Sequence, residues 1–274
     1  MPINNDSLDG VFLNKNRFLE VFQNVFSGIN ITTVQNDSYR LPPEREIEKK
    51  LNHNFSRAEI GYHMRRLRDS GVIDSRRGDG NYLVSDVSQA VTNSLEMSLQ
   101  QLMYLQYFDS KDINKTRMIF ELSIYEYWVN VHYDEQSVLI CELKLIANQM
   151  RMLFHRYEAL SLEEEKGKIV KEIINKDISF HKTMGKIVDT TLINIFINAI
   201  SELQKSEIQN FWHNSPNSVK ADLIENHFSI IVALEKIAEI VRKSSENIED
   251  FKTLESAKND YRLAIISHYE NSIL

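Results

Sequence analysis

Phe18, Val21, Phe22, Val25, Phe26 and Ile29 recur at helical spacing, which predicts an amphipathic helix over about 15–29. A polar stretch follows. Leu41-Pro42-Pro43-Glu44 then reads as an extended approach to a second helix ending near Leu51, with Pro at its first turn and an acid beside it. Ser56-Arg57-Ala58-Glu59 has the form of a capping box, so a third helix begins there. Ile60, Met64 and Leu67 fall on its inner face, whereas Arg57, Gly61, Arg65 and Arg68 fall on the opposite one. Gly71 is placed to end it. Val72–Ser75 and Asn81–Val84 alternate as two short strands around Arg76-Arg77-Gly78-Asp79-Gly80, a tight hairpin. Three helices and a basic-tipped hairpin compose a winged helix-turn-helix.

From Ser85 onward the strand signals vanish. Helical periodicity predicts segments at about 87–108, 112–132, 135–157, 161–188, 190–212, 219–244 and 246–270. The expected fold is therefore mostly α, with a winged domain over 1–85 and an all-helical bundle over 86–274.

Composition narrows this little. The chain has 274 residues, 42% hydrophobic and 26% charged, which argues against wholesale disorder. Eight Gly and four Pro disfavour glycine-rich catalytic loops and large β architectures, and the single Cys141 suits a reducing compartment. No apolar run reaches the roughly 20 residues of a membrane span, and the first residues lack a signal-peptide pattern, so the expected location is the cytoplasm. The net charge of −7 is unlike a nucleic-acid binder until it is divided. Residues 1–85 hold 12 basic and 11 acidic side chains, and 45–85 hold 9 against 6, whereas the remainder is strongly acidic.

Where the arginines fall gives that mild excess its meaning. An arginine at the start of the third helix can reach guanine edges in the major groove through a bidentate fork. Gly78 and Gly80 let the hairpin tip approach the DNA backbone, where Arg76 and Arg77 can neutralise phosphates.

In the second domain Asp177 and His181 lie four apart on one predicted helix, His227 lies on a later one and His268 near the end of the last. One carboxylate and three imidazoles could bind a divalent cation within a bundle. The spacing equally suits a surface Asp–His pair and two core histidines bonded to carbonyls.

LPPEREIEKKL, SRAEIGYHMRRLRDSGVI and SRRGDGNYLV resemble the DNA-binding domain of the GntR family of bacterial transcription regulators. The resemblance spans about 41–84. It implies DNA contacts from Arg45 and Arg57 and a wing formed by Gly78 and Gly80; Ser56 and Arg65 on the third helix and Arg76 and Arg77 on the hairpin complete the expected DNA-binding set. Gly61 stands where the family usually places another DNA-contacting arginine, and Pro43 replaces a small polar residue, so the operator need not be the family's common one. Arg117-x-x-x-Glu121, Asp177-x-x-Phe180-His181, Glu225-Asn226-His227 and Ser267-His268-Tyr269 resemble the FCD effector domain of the FadR subfamily. That resemblance implies Asp177, His181, His227 and His268 as ligands of a divalent metal ion (Zn, Ni or Mn), with Arg117 facing the effector pocket. The separation of 41 between His227 and His268 exceeds the family's usual one and implies an insertion around 235–256.

The expected protein is a ligand-responsive regulator, not an enzyme. It would act as a homodimer on a double-stranded DNA operator and answer to a small organic acid. The alternative is a metal-dependent helical-domain enzyme, but the chain has no His-Glu-x-x-His motif, no paired Glu-x-x-His motifs and no Gly-x-Ser-x-Gly elbow.

Overall fold

The computed structural model describes residues 39–52, 54–243 and 248–273, together with Arg17, Leu19, 21–23, Val25 and Phe26. These last few are helical, and the rest of the helix expected over 15–29 lies outside the described residues. The chain divides into two compact units, Met1–Leu95 and Glu96–Leu274.

In the first unit, α1 (Glu44–Lys50) and α2 (Arg57–Asp69) precede a hairpin of β1 (Ile73–Arg76) and β2 (Gly80–Leu83). Ser56 and Glu59 cap α2 reciprocally, side chain to backbone in both directions. Ile60, Met64 and Leu67 are buried from α2 against Ile47 of α1, Phe55 and Leu83. At the other end of α2, Gly71 takes φ +73°. Its N–H donates to the Arg68 carbonyl and that of Val72 to the Leu67 carbonyl, a Schellman termination that reverses the chain into β1.

The strands pair antiparallel, Ile73 opposite Leu83 and Arg76 opposite Gly80. Both therefore sit one residue nearer the tip than the alternation predicts. Only Gly78 (φ +77°) and Gly80 (φ +123°) need positive φ, so Arg76 remains in the ladder and the loop shrinks to 77–79. Tyr39, Arg40 and Leu41 run along β2, with Leu41 N–H bonded to the Asn81 carbonyl and Leu83 N–H to that of Tyr39.

The second unit is helical among its described residues. After α3 (Val87–Tyr104) come α4 (Ser110–Trp128), α5 (Tyr133–Ala159), α6 (Glu163–Lys186), α7 (Thr191–Leu203), α8 (Lys205–Asn214), α9 (Asn217–Lys243) and α10 (Ile248–Ile273). α6 is its axis. Beyond Ile173 it is buried on nearly every side, with α4, α5, α7 and α8 packed around it. Close approach of α7 depends on Gly185, where a Cβ would come within 3.0 Å of the Ile197 side chain. α9 and α10 form a long antiparallel pair over α4 and α5. At the α4–α9 seam the Trp128 indole N–H donates to the Leu234 carbonyl at 2.9 Å.

The helix expected over 190–212 is two helices, broken at Gln204. Gln204 is buried, its side-chain amide donates to the Asn114 carboxamide of α4, and the chain turns there to lay α8 on α6.

Candidate metal centre and nucleic-acid interface

On the winged unit, Arg45, Arg57 and Arg65 are exposed, and so are Arg76, Arg77, Gly78 and Gly80 on the hairpin. The Ser56 hydroxyl serves the cap, donating to Glu59 Oε2 at 2.9 Å and accepting from the Glu59 N–H at 3.3 Å. Arg57 starts α2 and lies against Glu48 of α1, Nε to Oε2 at 3.0 Å. Its side chain is still 64% exposed, so this pair is one that a phosphate or a base could displace. Arg76 stacks its guanidinium over the Tyr82 ring, 4.0 Å from the centroid, which steadies the wing. Arg40 braces the hairpin from below, bonding the Asp79 carbonyl. Sequence reasoning passed over it because it lies in a polar stretch with no periodicity. Gly61 faces Glu44 of α1, with ordinary contact distance for a Cβ. His63, on the inner side of α2, is buried and does not belong to this surface.

In the helical unit, α6 carries Asp177 and His181 one turn apart, α9 brings His227 and α10 brings His268. All four are buried, and one donor atom from each lies within 4.8 Å of every other. The orientation of each imidazole has an identifiable cause. His227 Nδ1 donates to the Leu223 carbonyl one turn back at 2.9 Å, which aims Nε2 away from its own helix. That nitrogen stands 3.1 Å from Asp177 Oδ1. His181 Nδ1 donates to Glu121 Oε1 at 2.7 Å and turns Nε2 toward Asp177 Oδ1, 3.8 Å away. His268 Nδ1 is buried without a hydrogen-bond partner among the described residues, as are the Nε2 atoms of His181 and His227.

Burial holds the His181 and His268 imidazoles below their ordinary value, assisted by the Arg117 charge at His181 and by the neighbouring imidazoles at His268. Burial would raise the Asp177 carboxyl, but the His227 contact, the imidazole charges and Arg117 outweigh it and hold the group well below the carboxylate range. Three imidazole nitrogens therefore converge on an ionised carboxylate. Such an arrangement fits a cation at its centre, and an N₃O set is a ligand set for zinc, nickel or manganese.

Behind the donors stands Glu121 of α4, which the motifs did not single out as a site residue. Its Oε1 accepts from both His181 Nδ1 and Arg117 Nε, the latter at 3.0 Å. A carboxylate behind a histidine fixes the tautomer and makes the ring a stronger ligand. A signal did exist: Ile113, Arg117, Glu121, Ile124 and Trp128 share one helical face and all are buried, so two charges stand within an apolar stripe.

Arg117 is thus committed through Nε to Glu121. Its Nη2 stands 3.9 Å from Asp177 and has no hydrogen-bond partner among the described residues. Asn114, Arg117, Asp177, Phe211, His268 and Tyr269 line a cleft of about 30 Å³, room for about one water molecule. A ligand of several heavy atoms needs it to widen.

No family model matches the sequence, and no curated protein matches it. Solved structures do. GntR from Streptococcus agalactiae is similar over 94% of this chain and 98% of its own, at 18% identity and a TM-score of 0.52. McbR/YncC of E. coli matches over 96% and 94%, at 12% identity and a TM-score of 0.41. Lar, which controls the expression of the Listeria monocytogenes agr system, matches over 94% and 97%, at 11% identity and a TM-score of 0.32. The chain has the fold of the streptococcal GntR structure.

Proposed function

We propose that the protein is a ligand-responsive transcription regulator of the GntR family, FadR subfamily. Its winged domain (1–85) reads operator DNA, and its FCD-type domain (86–274) holds a divalent ion and a small carboxylate. It acts in the cytoplasm as a homodimer and catalyses no reaction. The observation that carries this reading is the buried set of three imidazoles and one carboxylate beneath a cleft lined by Arg117, in a chain whose winged unit also exposes Arg45, Arg57, Arg65, Arg76 and Arg77.

When bound, the ion supplies a Lewis-acidic site with exchangeable positions for an anion's oxygen. Arg117 supplies the second anchor, because Nη2 remains available after Nε is bonded to Glu121. Phe211 and Tyr269 wall the cleft. An acid larger than water must part α8 from α4 and α10, so its binding energy goes into moving α8. That displacement gives the effector unequal affinity for two conformations, which regulation requires.

The reading is tested on DNA first. In a mobility-shift titration with the DNA upstream of its own gene, Arg57→Ala is expected to weaken specific binding by about 5- to 150-fold, the worth of one bidentate base contact. Arg77→Ala should instead weaken all sequences alike and flatten the salt dependence. An unchanged ratio of specific to non-specific affinity in Arg57→Ala would remove α2 from base recognition. The effector is then sought by thermal shift with a panel of carboxylic acids. A stabilising acid should lose its effect in both Arg117→Ala and His181→Ala, each measured against its own melting temperature. An acid that stabilises all three proteins equally binds elsewhere.

A further inference from the structure

The inner face of α5 is consumed by the bundle core, yet its outer face carries a second apolar pattern. Val138, Leu145 and Met152 recur every seven residues and are 66%, 59% and 71% exposed. Cys141, Asn148 and His155 fall between them at the alternating three- and four-residue spacing of a coiled-coil seam, and all are exposed. The stripe runs about 30 Å to Ala159. Core residues such as Leu143, Ala147 and Phe154 occupy other positions of the same heptads, so the stripe serves nothing within the unit. Beside it on α9, Val232 is 60% exposed, between Phe228, over which Arg151 stacks, and Glu235, which holds Lys144.

We propose that this face pairs antiparallel with the same face of a second copy, about a two-fold axis near Asn148 and Met152. The inference locates the interface of the dimer proposed above and rests on that reading only for the number of chains. The charges flanking the seam choose the orientation. In the antiparallel register that sets Asn148 against Met152 of the second copy, Glu142 meets Arg156 and Lys144 meets Glu158, each twice by symmetry. Arg151 meets its own copy once at the axis, where each is already held by Glu225; in a parallel, in-register pair Arg151 would meet Arg156 twice, and neither acid would gain a basic partner. Arg156 makes no ion pair among the described residues, and Glu142 is bound by Thr183 and Lys186 through Oε1 alone. Exposed ion pairs add little affinity, so the buried apolar stripe holds the copies together and the charges set direction.

The register makes a covalent prediction. Cys141 should lie opposite Ala159 of the second copy, on neighbouring seam positions within disulfide reach. In the full-length protein, Ala159→Cys is expected to give a dimer joined by two disulfides on mild oxidation. The wild type should form none, and adding Cys141→Ser should abolish the link. A Cys141–Cys141 dimer in the wild type would mean parallel pairing and overturn the proposal, as would absence of the link in Ala159→Cys. By sedimentation velocity, Leu145→Asp is expected to raise the dimer dissociation constant at least about tenfold. Its metal content and DNA affinity per winged unit should remain those of the wild type, which separates loss of this interface from failure of the metal or DNA assignments. Arg156→Glu and Glu142→Arg should each weaken the dimer, and together they should restore it. A wild-type monomer, or a dimer indifferent to Leu145→Asp and to the charge exchange, places the interface elsewhere.

Discussion

Glu121→Ala is expected to destabilise the helical unit by about 3–5 kcal/mol, the cost of stranding a buried charge. Arg117 is only 2% exposed, and its one close ion pair is with the Glu121 carboxylate. The same substitution releases His181 Nδ1, whose hydrogen bond orients the ring toward Asp177. Metal affinity should therefore fall about 10- to 100-fold even though no ligand atom has been removed. Glu121→Gln keeps one acceptor oxygen without the charge and should lie between the two. Thermal melts and metal titrations of the three proteins give both quantities. A Glu121→Ala protein with wild-type stability and wild-type metal affinity would leave this residue without the role assigned here.

His227→Ala is expected to abolish the bound ion, from about one per chain to none by elemental analysis. His227 is fully buried between Asp177 and His268, and its loss takes one of three nitrogens from the set. Because the unfolded chain brings no such set together, an ion at a hundredfold excess over its dissociation constant stabilises the folded state by about 2.7 kcal/mol. A chelator should therefore lower the melting temperature of the wild type and leave that of His227→Ala unmoved. Wild-type protein purified without chelators that holds no metal, and takes up none on reconstitution, would count decisively against the centre.

The parts of the fold legible in the sequence are those whose causes are local. The cap at Ser56, the Gly71 termination and the burial of Ile60, Met64 and Leu67 depend on residues within a turn or two. The hairpin shows how far that reaches: alternation locates the strands, but the pairing frame follows from which glycines take positive φ, and it moves both strands by one residue. The break at Gln204 was not legible. Its backbone stays near helical values, φ −80° and ψ −11°, and Ile200, Leu203, Ile208 and Phe211 continue the amphipathic pattern across it. What turns the chain is a contact with Asn114, 90 residues away.

In the candidate site, the four donors were nameable from a motif resemblance, but the separation of 41 between His227 and His268 hid how the last of them returns. Residues 235–256, read as an insertion, lengthen the α9–α10 pair where they are described, and His268 still returns beside His227, their ring centroids 4.6 Å apart. Helix length cancels between two antiparallel partners, so a long separation in sequence does not separate the side chains. Glu121 stood in the motif beside Arg117, and the pair one turn apart was legible, but its hydrogen bond to His181, 60 residues away, was not.

The placement of the two tryptophans has a spectroscopic consequence. Trp128 and Trp212 are the only indoles in the sequence, both are buried, and both belong to the Glu96–Leu274 unit. Tryptophan emission therefore reports melting of the helical unit and is silent on the winged one, whose unfolding needs another signal. The two also see different events. Trp128 is tied by its hydrogen bond into the α4–α9 seam, whereas Trp212 sits on α8 against Phe154 and Tyr157, next to Phe211 of the cleft wall. A Trp128→Phe protein would carry its fluorescence on α8, beside the cleft wall, and a Trp212→Phe protein would carry it at the α4–α9 seam.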